Sequence, residues 1–488
     1  MSESVNRTEG RLATELPTKY LPAVEYRDLP EPRKLRNYVG ASVIISATAL
    51  GSGELILWPS IAAQFGLALV WLSIIGITMQ FFLNMEISRY TLVTGETAVT
   101  GFSRLWLPWG VVFVLGAVLP NIWPGWAASG ATEFTFIFGL DPSTVPLVAT
   151  IFLIAVGLAV TISPVIYQTI EKAEGVMLVL IIAFMIAAIA IATTAGAWGQ
   201  VVTQIPHGVT HIPDYLKELG AASLLGAVVF AGAGGANNLV QSNYIRDKGM
   251  GMGINIPNIV SPITGDEVTT ASLGYYPPET EQNAKHWRRW WRIANQEQLI
   301  TFWFIGALLL VGLSVLSYST VFGKDVGDGL DFIKAEGTTL ASTVGGWFEL
   351  AFYIAGFLML FSTNIGVMDY VSRMTGDSLK VTFLKNNSFW SESKIYVTMV
   401  WLLIVVGSLI VWTGIKPLVL LVISSAGGGF VMAIYSVLLI ILNRRALPQF
   451  AKLRGYRIPI MVFIAVFYIV FALYLLYQMI AQGPASVV

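Results

Sequence analysis

The chain has 488 residues, of which 55% are hydrophobic and 12% charged, and its formal net charge is zero. Soluble domains carry about 25% charged residues, so this composition excludes an ordinary soluble fold. It contains no cysteine, which excludes disulfides and thiolate metal sites.

Residues 1–37 are polar and proline-rich and read as a flexible cytosolic tail without a cleavable leader. Apolar runs long enough to span a bilayer then recur at approximately 39–63, 67–92, 109–138, 145–163, 175–194, 221–242, 298–321, 347–371, 395–413, 417–442 and 458–480. The expected organisation is a transmembrane core over 38–442 with a loop at 243–295, then a loop and last helix over 443–488.

With the N-terminus in the cytosol and alternating spans, every lysine and arginine except Lys217, Lys324, Lys334 and Lys416 falls on the inner side. This bias predicts an integral plasma (inner) membrane protein with its C-terminus outside. The inner-loop string Trp287-Arg288-Arg289-Trp290-Trp291-Arg292 suits a lipid interface rather than a nucleic acid, with rings at headgroup level. The acidic outer loop at 324–336 reads as solvated.

Two spans contain residues that a membrane helix should avoid. The first carries Gly51-Ser52-Gly53-Glu54, and the sixth carries Gly232-Ala233-Gly234-Gly235-Ala236-Asn237-Asn238. Interior glycine costs a helix about 1 kcal/mol relative to Ala. A carboxylate at bilayer depth costs roughly 2.5–3.5 kcal/mol on insertion scales. Paired interruptions in corresponding spans point to an inverted-repeat transporter with a midplane site, built from half-helix ends and freed backbone groups. Close packing of intact helices is the competing explanation for the glycines. The candidate substrate-binding residues are Gly51, Ser52, Gly53, Glu54, Gly234, Gly235, Asn237 and Asn238.

The stretch from Gly40-Ala41-Ser42 to Ala62-Ala63-Gln64-Phe65-Gly66 resembles the first helix of the Nramp family of divalent-metal transporters. Thr94-Gly95-Glu96-Thr97-Ala98 resembles the Thr-Gly-Lys-Asp-Leu turn after that family's second helix. Gly226-Ala227-Val228-Val229 followed by Asn237-Asn238-Leu239-Val240-Gln241-Ser242 resembles its sixth helix. The resemblance implies an all-α polytopic membrane protein of about eleven transmembrane helices, a LeuT-type 5+5 inverted repeat with helices 1 and 6 broken. It also implies ion-coupled transport of a divalent metal cation.

The family's Asp-Pro-Gly-Asn is Gly51-Ser52-Gly53-Glu54 here, and its Met-Pro-His is Gly234-Gly235-Ala236. A site of Glu54, Asn237, Asn238 and carbonyls would suit a harder cation such as Mg²⁺. The helix-1 string is also similar to the Gly-Ser-Gly-Ile-Phe of the amino acid/polyamine/organocation transporters. That likeness keeps a small organic solute such as an amino acid or amine as the alternative substrate.

Glu54, Glu133, Ser362 and Thr363 are the candidates for handling the coupling ion, H⁺ or Na⁺. Acids within spans are functional candidates by default, and helix 8 hydroxyls face the helix 1 break in this architecture. Glu86 and Arg89 are spaced to pair on one face of helix 2. His207 and His211 read as outer-loop residues. No Walker motif or catalytic constellation is present, so neither a cofactor nor an enzymatic activity is expected.

Overall fold

The computed structural model describes residues 11–33, 35, 46–162, 166–257, 273–327 and 329–482. The predicted start of the first span, 39–45, lies outside the described residues. The helices are α1 (Trp58–Phe65), α2 (Val70–Thr94), α3 (Ala98–Leu105), α4 (Trp109–Asn121), α5 (Gly125–Phe138), α6 (Val145–Ile162) and α7 (Ile166–Ala192). Three short helices follow, α8 (Ala195–Thr203), α9 (Ile205–Thr210) and α10 (Ile212–Leu219), then α11 (Ala221–Val229), α12 (Ala236–Asp247) and α13 (Glu281–Gln298). The chain closes with α14 (Ile305–Val321), α15 (Asp331–Val344), α16 (Gly346–Thr382), α17 (Glu392–Val411), α18 (Pro417–Arg445) and α19 (Arg457–Gln482).

Among the described residues, nine helices are long and apolar enough to cross a membrane. The predicted spans missing from that set are the first and the sixth, the two whose sequences carry the interruptions. The predicted third span bends between α4 and α5, where Pro120 and Pro124 withhold amide donors. The predicted seventh span extends backwards, because α13 runs through a π-helical segment, Leu299–Phe304, directly into α14.

The 37-residue α16 is the central post. It packs against α4, α5, α7 and α17, while α18 packs against α11 and α19. Large apolar side chains such as Val179, Leu409 and Leu473 stand outward. This is the inverse of a soluble protein's surface and fits a lipid solvent.

Charge is gathered at the end that carries α13. Arg373 binds Asp369 at 2.9 Å and also pairs with Asp247, while Arg246 reaches Asp377 at 2.6 Å and Glu392 at 3.0 Å. Tyr244 and Tyr396 both donate to Asp369 at 2.8 Å. The expected Glu86–Arg89 pair forms at 2.6 Å and gains a second cation in Arg457, 3.2 Å away. These groups are buried, so each charge depends on its partners for the solvation it has lost.

Three features of the sequence reading change. Residues 11–33 form an ordered strap rather than a flexible tail. Within it β1 (Leu12–Ala13) pairs antiparallel with β2 (Val24–Tyr26), which pairs in parallel with β3 (Tyr275–Tyr276). The strap's prolines anchor it by their carbonyls: Pro17 and Pro22 accept from Arg104 at 3.2 and 2.9 Å, and Pro30 accepts from Trp290 at 2.7 Å.

The tryptophans of α13 turn inward, not to headgroup level. Trp287 and Trp290 are buried, and Trp291 lies 4.2 Å from the Arg89 guanidinium and 4.7 Å from that of Arg457. The arginines Arg288, Arg289 and Arg292 take the exposed face instead. The outer segment read as a solvated loop folds as α15, which buries Phe332, Ile333 and Glu336. His207 and His211 belong to the short outer helices, with rings 4.0 Å apart.

The turn between α2 and α3 shows why its residue types are needed. Gly95 caps α2 in the left-handed region, φ +75°, which glycine adopts without strain. Thr97 caps α3 and donates to Asp377 at 2.6 Å. Glu96 is buried and receives Arg104 at 2.5 and 2.8 Å, Tyr90 at 2.6 Å and the Gly274 amide at 3.3 Å. Burial pushes its carboxyl upward, but Arg104 and these hydrogen bonds outweigh it and hold Glu96 below the usual carboxylate range.

An acid held low contributes stability above its unfolded pKa and loses it as pH falls through the folded value. Thermal unfolding of purified protein should therefore show an acid-side loss that Glu96 helps to cause. Arg104→Gln should remove that component and destabilise at neutral pH by about 3–5 kcal/mol, because it leaves Glu96 buried and unpaired.

Candidate functional site

The two interruptions are built differently. The sixth is a true break: α11 ends at Val229 and α12 begins at Ala236, with Gly234 and Gly235 in the left-handed region at φ +68° and +57°. The first is not unwound in the same way. A helical run at 46–49 passes through a turn at 50–52 into a π-helical turn, Gly53–Leu57, and Leu57 N–H bonds Ser52 carbonyl at 2.9 Å. Neither Gly51 nor Gly53 has positive φ. Their lack of a side chain serves close approach, the explanation the sequence left open beside a break.

That approach joins the two interruptions. A Cβ on Gly53 would overlap the carbonyl oxygen of Phe230, at the exposed end of α11. A Cβ on Gly51 would overlap Thr363 Oγ1 on α16. Trp58 reinforces the first contact, its indole N–H donating to Ala227 carbonyl at 2.9 Å. On the far side, a Cβ on Gly235 would lie 2.8 Å from Gly428 Cα of α18.

Two of the freed backbone amides are already used. Gly51 N–H donates to Thr363 Oγ1 at 3.0 Å, so Thr363 caps the helix-1 turn. Gly234 N–H donates to Gln80 Oε1 at 2.8 Å, and Gln80 Nε2 donates to Val229 carbonyl at 2.7 Å. Gln80, on α2, thus satisfies both sides of the helix-6 break. Asn238 joins the same brace, donating to Asn84 Oδ1 at 2.8 Å and to Gln80 Oε1 at 3.3 Å. Its amide is turned to α2 rather than left wholly for a ligand.

The side-chain groups near these turns without a hydrogen-bond partner among the described residues include several oxygens, beside the donors Trp126 Nε1 and Asn364 Nδ2. Both oxygens of Glu54, Asn237 Oδ1 and Asn238 Oδ1 are buried and unmatched. Glu54 is fully buried, and its Oε1 reaches to 3.9 Å from where a Cβ on Gly306 of α14 would stand. Ser52 is buried within the turn. No group of three or more His, Asp or Glu side chains assembles among the described residues, so any cation here would rely on amide and backbone oxygens as well.

Glu133, on α5, is also fully buried with both oxygens unmatched, and its Oε1 would lie 2.9 Å from a Cβ on Gly356. The charge of Glu336 on α15 acts on it from the outer side. Ser362 is not free: it donates to Glu174 on α7. Glu174 is a site residue that the sequence reading missed, since it stands just before the apolar run assigned to the fifth span. Gln80 and Asn84 were missed too. Their signal was a polar stripe with Ser88 at four-residue spacing in an otherwise apolar helix.

No family model matches the chain, and no curated protein matches it. Solved structures do. Two variants of the Eremococcus coleocola manganese transporter each superpose with TM-score 0.65, at 11% and 12% identity, covering 97% of this chain and 93% of the other. Mhp1, a nucleobase-cation-symport-1 family transporter solved in a closed conformation with bromovinylhydantoin bound, superposes with TM-score 0.52 at 14% identity, covering 94% and 93%. The chain therefore has an all-α polytopic LeuT-type fold, as its broken helices predict.

The glycine contact can be tested directly. Gly53→Ala should destabilise the purified protein by about 1–3 kcal/mol, because the added methyl meets backbone. Gly199→Ala, where a Cβ would meet nothing within 4 Å, should be neutral or stabilising by up to about 1 kcal/mol in thermal unfolding.

Burial pushes Glu336 up to about 8, with the Ser317 hydroxyl opposing. A raised acid contributes stability below its unfolded pKa and loses it as pH rises through the folded value. Stability should therefore fall progressively as pH rises from the ordinary carboxylate range to about 8 and level off above it, and Glu336→Gln should flatten that loss in melting curves taken across the range.

Proposed function

We propose that this chain is an ion-coupled secondary transporter that moves a hard divalent cation such as Mg²⁺ by alternating access around the two interruptions. One observation carries the choice of substrate. The N–H groups freed at Gly51 and Gly234 are both occupied by side chains, while both Glu54 oxygens, Asn237 Oδ1 and Asn238 Oδ1 beside them are unmatched. Buried acceptors without donors favour a cation. An amino-acid carboxylate would need the amides that Thr363 and Gln80 already hold, which counts against the organic-solute alternative.

Glu54 is the charged ligand in this reading, with Asn237 Oδ1 and Asn238 Oδ1 as neutral ones. The missing Met and His remove soft donors and favour oxygen chemistry. The coupling ion is a proton, with Glu133 as one carrier because it is a buried acid on the outer side of the site. The positive-inside bias puts the α13 end in the cytosol. The buried lattice around Arg246 and Arg373 is then the inner gate, closed in this conformation.

Calorimetry on the purified full chain tests the substrate. Mg²⁺ should give saturable heat, and Glu54→Gln should weaken it by at least ~tenfold, or ~1.4 kcal/mol. Saturable heat from amino acids or amines, with none from Mg²⁺ or Mn²⁺, would overturn the assignment.

A further inference from the structure

Glu174 lies on α7 and is fully buried. Its Oε2 accepts the hydroxyl of Ser362 on α16, and its Oε1 has no hydrogen-bond partner among the described residues. The same Ser362 hydroxyl lies 3.4 Å from the carbonyl oxygen of Ala47, in the helical run just before the helix-1 turn. Neighbouring contacts tie α16 to that run. Thr363 holds the Gly51 amide, and a Cβ on Gly366 would overlap Thr48. Glu174, Ser362 and Ala47 thus connect three separate segments through one hydroxyl.

A serine hydroxyl has one proton to donate. When Glu174 is ionised, that proton belongs on the carboxylate, a charge-assisted bond. The Ala47 carbonyl is then left at the long distance observed. When Glu174 is protonated, the new carboxyl O–H can donate to Ser362 Oγ, and the serine proton is released to turn to Ala47. One proton enters, the Glu174–Ser362 hydrogen bond reverses direction, the Ser362–Ala47 bond takes up the serine proton, and no covalent bond between heavy atoms forms or breaks.

We propose that Glu174 is a proton-carrying residue separate from the Glu54 site, and that the Ser362 hydroxyl relays its protonation to helix 1. An ionised acid with no cation beside it is expensive to bury, and a bound proton removes that cost. Among the described residues, the charge that reaches Glu174 from α16 is that of Asp369, itself tied to Arg373, Tyr244 and Tyr396. On α7, Glu171 is paired with Lys248, and Lys172 lies in the same turn. Of the other elements packed on α7, α6 carries no ionisable side chain, α14 only Tyr318, and α15 Asp331, Lys334 and Glu336.

The coupling role rests on the transporter reading above, so the test separates the two. Infrared difference spectra of the full chain should show a protonated-carboxyl band that disappears in Glu174→Gln and shifts in Ser362→Ala. Calorimetry with Mg²⁺ should show an affinity that changes with pH, by up to ~tenfold per pH unit for one linked proton. That slope should flatten in both variants, whereas a purely structural role would lower affinity by one factor at every pH.

An unchanged band in Glu174→Gln, a band in Ser362→Ala identical to wild type, or an undiminished slope would overturn the proposal. So would an affinity that follows Na⁺ concentration with no carboxyl band, which would make the occupant a sodium ion. If wild-type protein binds no Mg²⁺, the transporter reading's substrate fails, and the band in Ser362→Ala still decides this one. If Glu174→Gln does not fold, the Ser362→Ala spectrum and slope decide it.

Discussion

The contact between Gly53 and the Phe230 carbonyl is the constraint on which the arrangement depends. Backbone meets backbone there, with no side chain between the two interrupted helices. A half-helix end carries unsatisfied carbonyls and a partial negative charge. Pressing α11's end against the helix-1 turn puts that polarity beside Glu54, within an otherwise apolar bundle. The glycines make this possible by being small, while Gly234 and Gly235 turn the chain through conformations other residues resist. Similar composition therefore does two different jobs in the two helices.

Around this contact the molecule separates satisfied polarity from unsatisfied polarity. At the α13 end, Arg104, Arg246, Arg373 and Arg457 each meet carboxylates, and the strap of residues 11–33 closes over Arg104. In the middle, Gln80 and Thr363 accept from the Gly234 and Gly51 amides. What is left over among the described residues includes oxygens of Glu54, Glu133 and Glu174 and two asparagine oxygens. Unmatched buried acceptors are costly, so each of them asks for a partner that the packed side chains do not supply.

The sequence made the spans and the paired interruptions legible because hydrophobic runs and helix-breaking residues are local signals. Glu54 was legible for the same reason, as a charge in an apolar run. The Glu86–Arg89 pair was legible from its spacing. The rest depended on contacts distant along the chain. Nothing near Asn238 says that its amide turns to Asn84, 154 residues away. The strap looked disordered because its composition is poor in core residues, yet its fixed proline carbonyls find donors on α3 and α13. Glu174 hid at a span boundary, where a residue's depth is set by tilt and neighbours rather than by the run it adjoins.

A fold shared at 11% to 14% identity with a manganese transporter and a nucleobase-cation-symport-1 family transporter leaves the ligand set to this chain's own residues. No imidazole or thioether stands in the two interruptions, and the Gly51 and Gly234 N–H groups are occupied. Acceptors are added or kept, with Glu54 in the helix-1 turn and Glu174 behind helix 8. A centre rich in oxygen and poor in donors is stable only when something positive enters it, a cation or a proton. The same imbalance can therefore couple binding at this centre to the movement of charge.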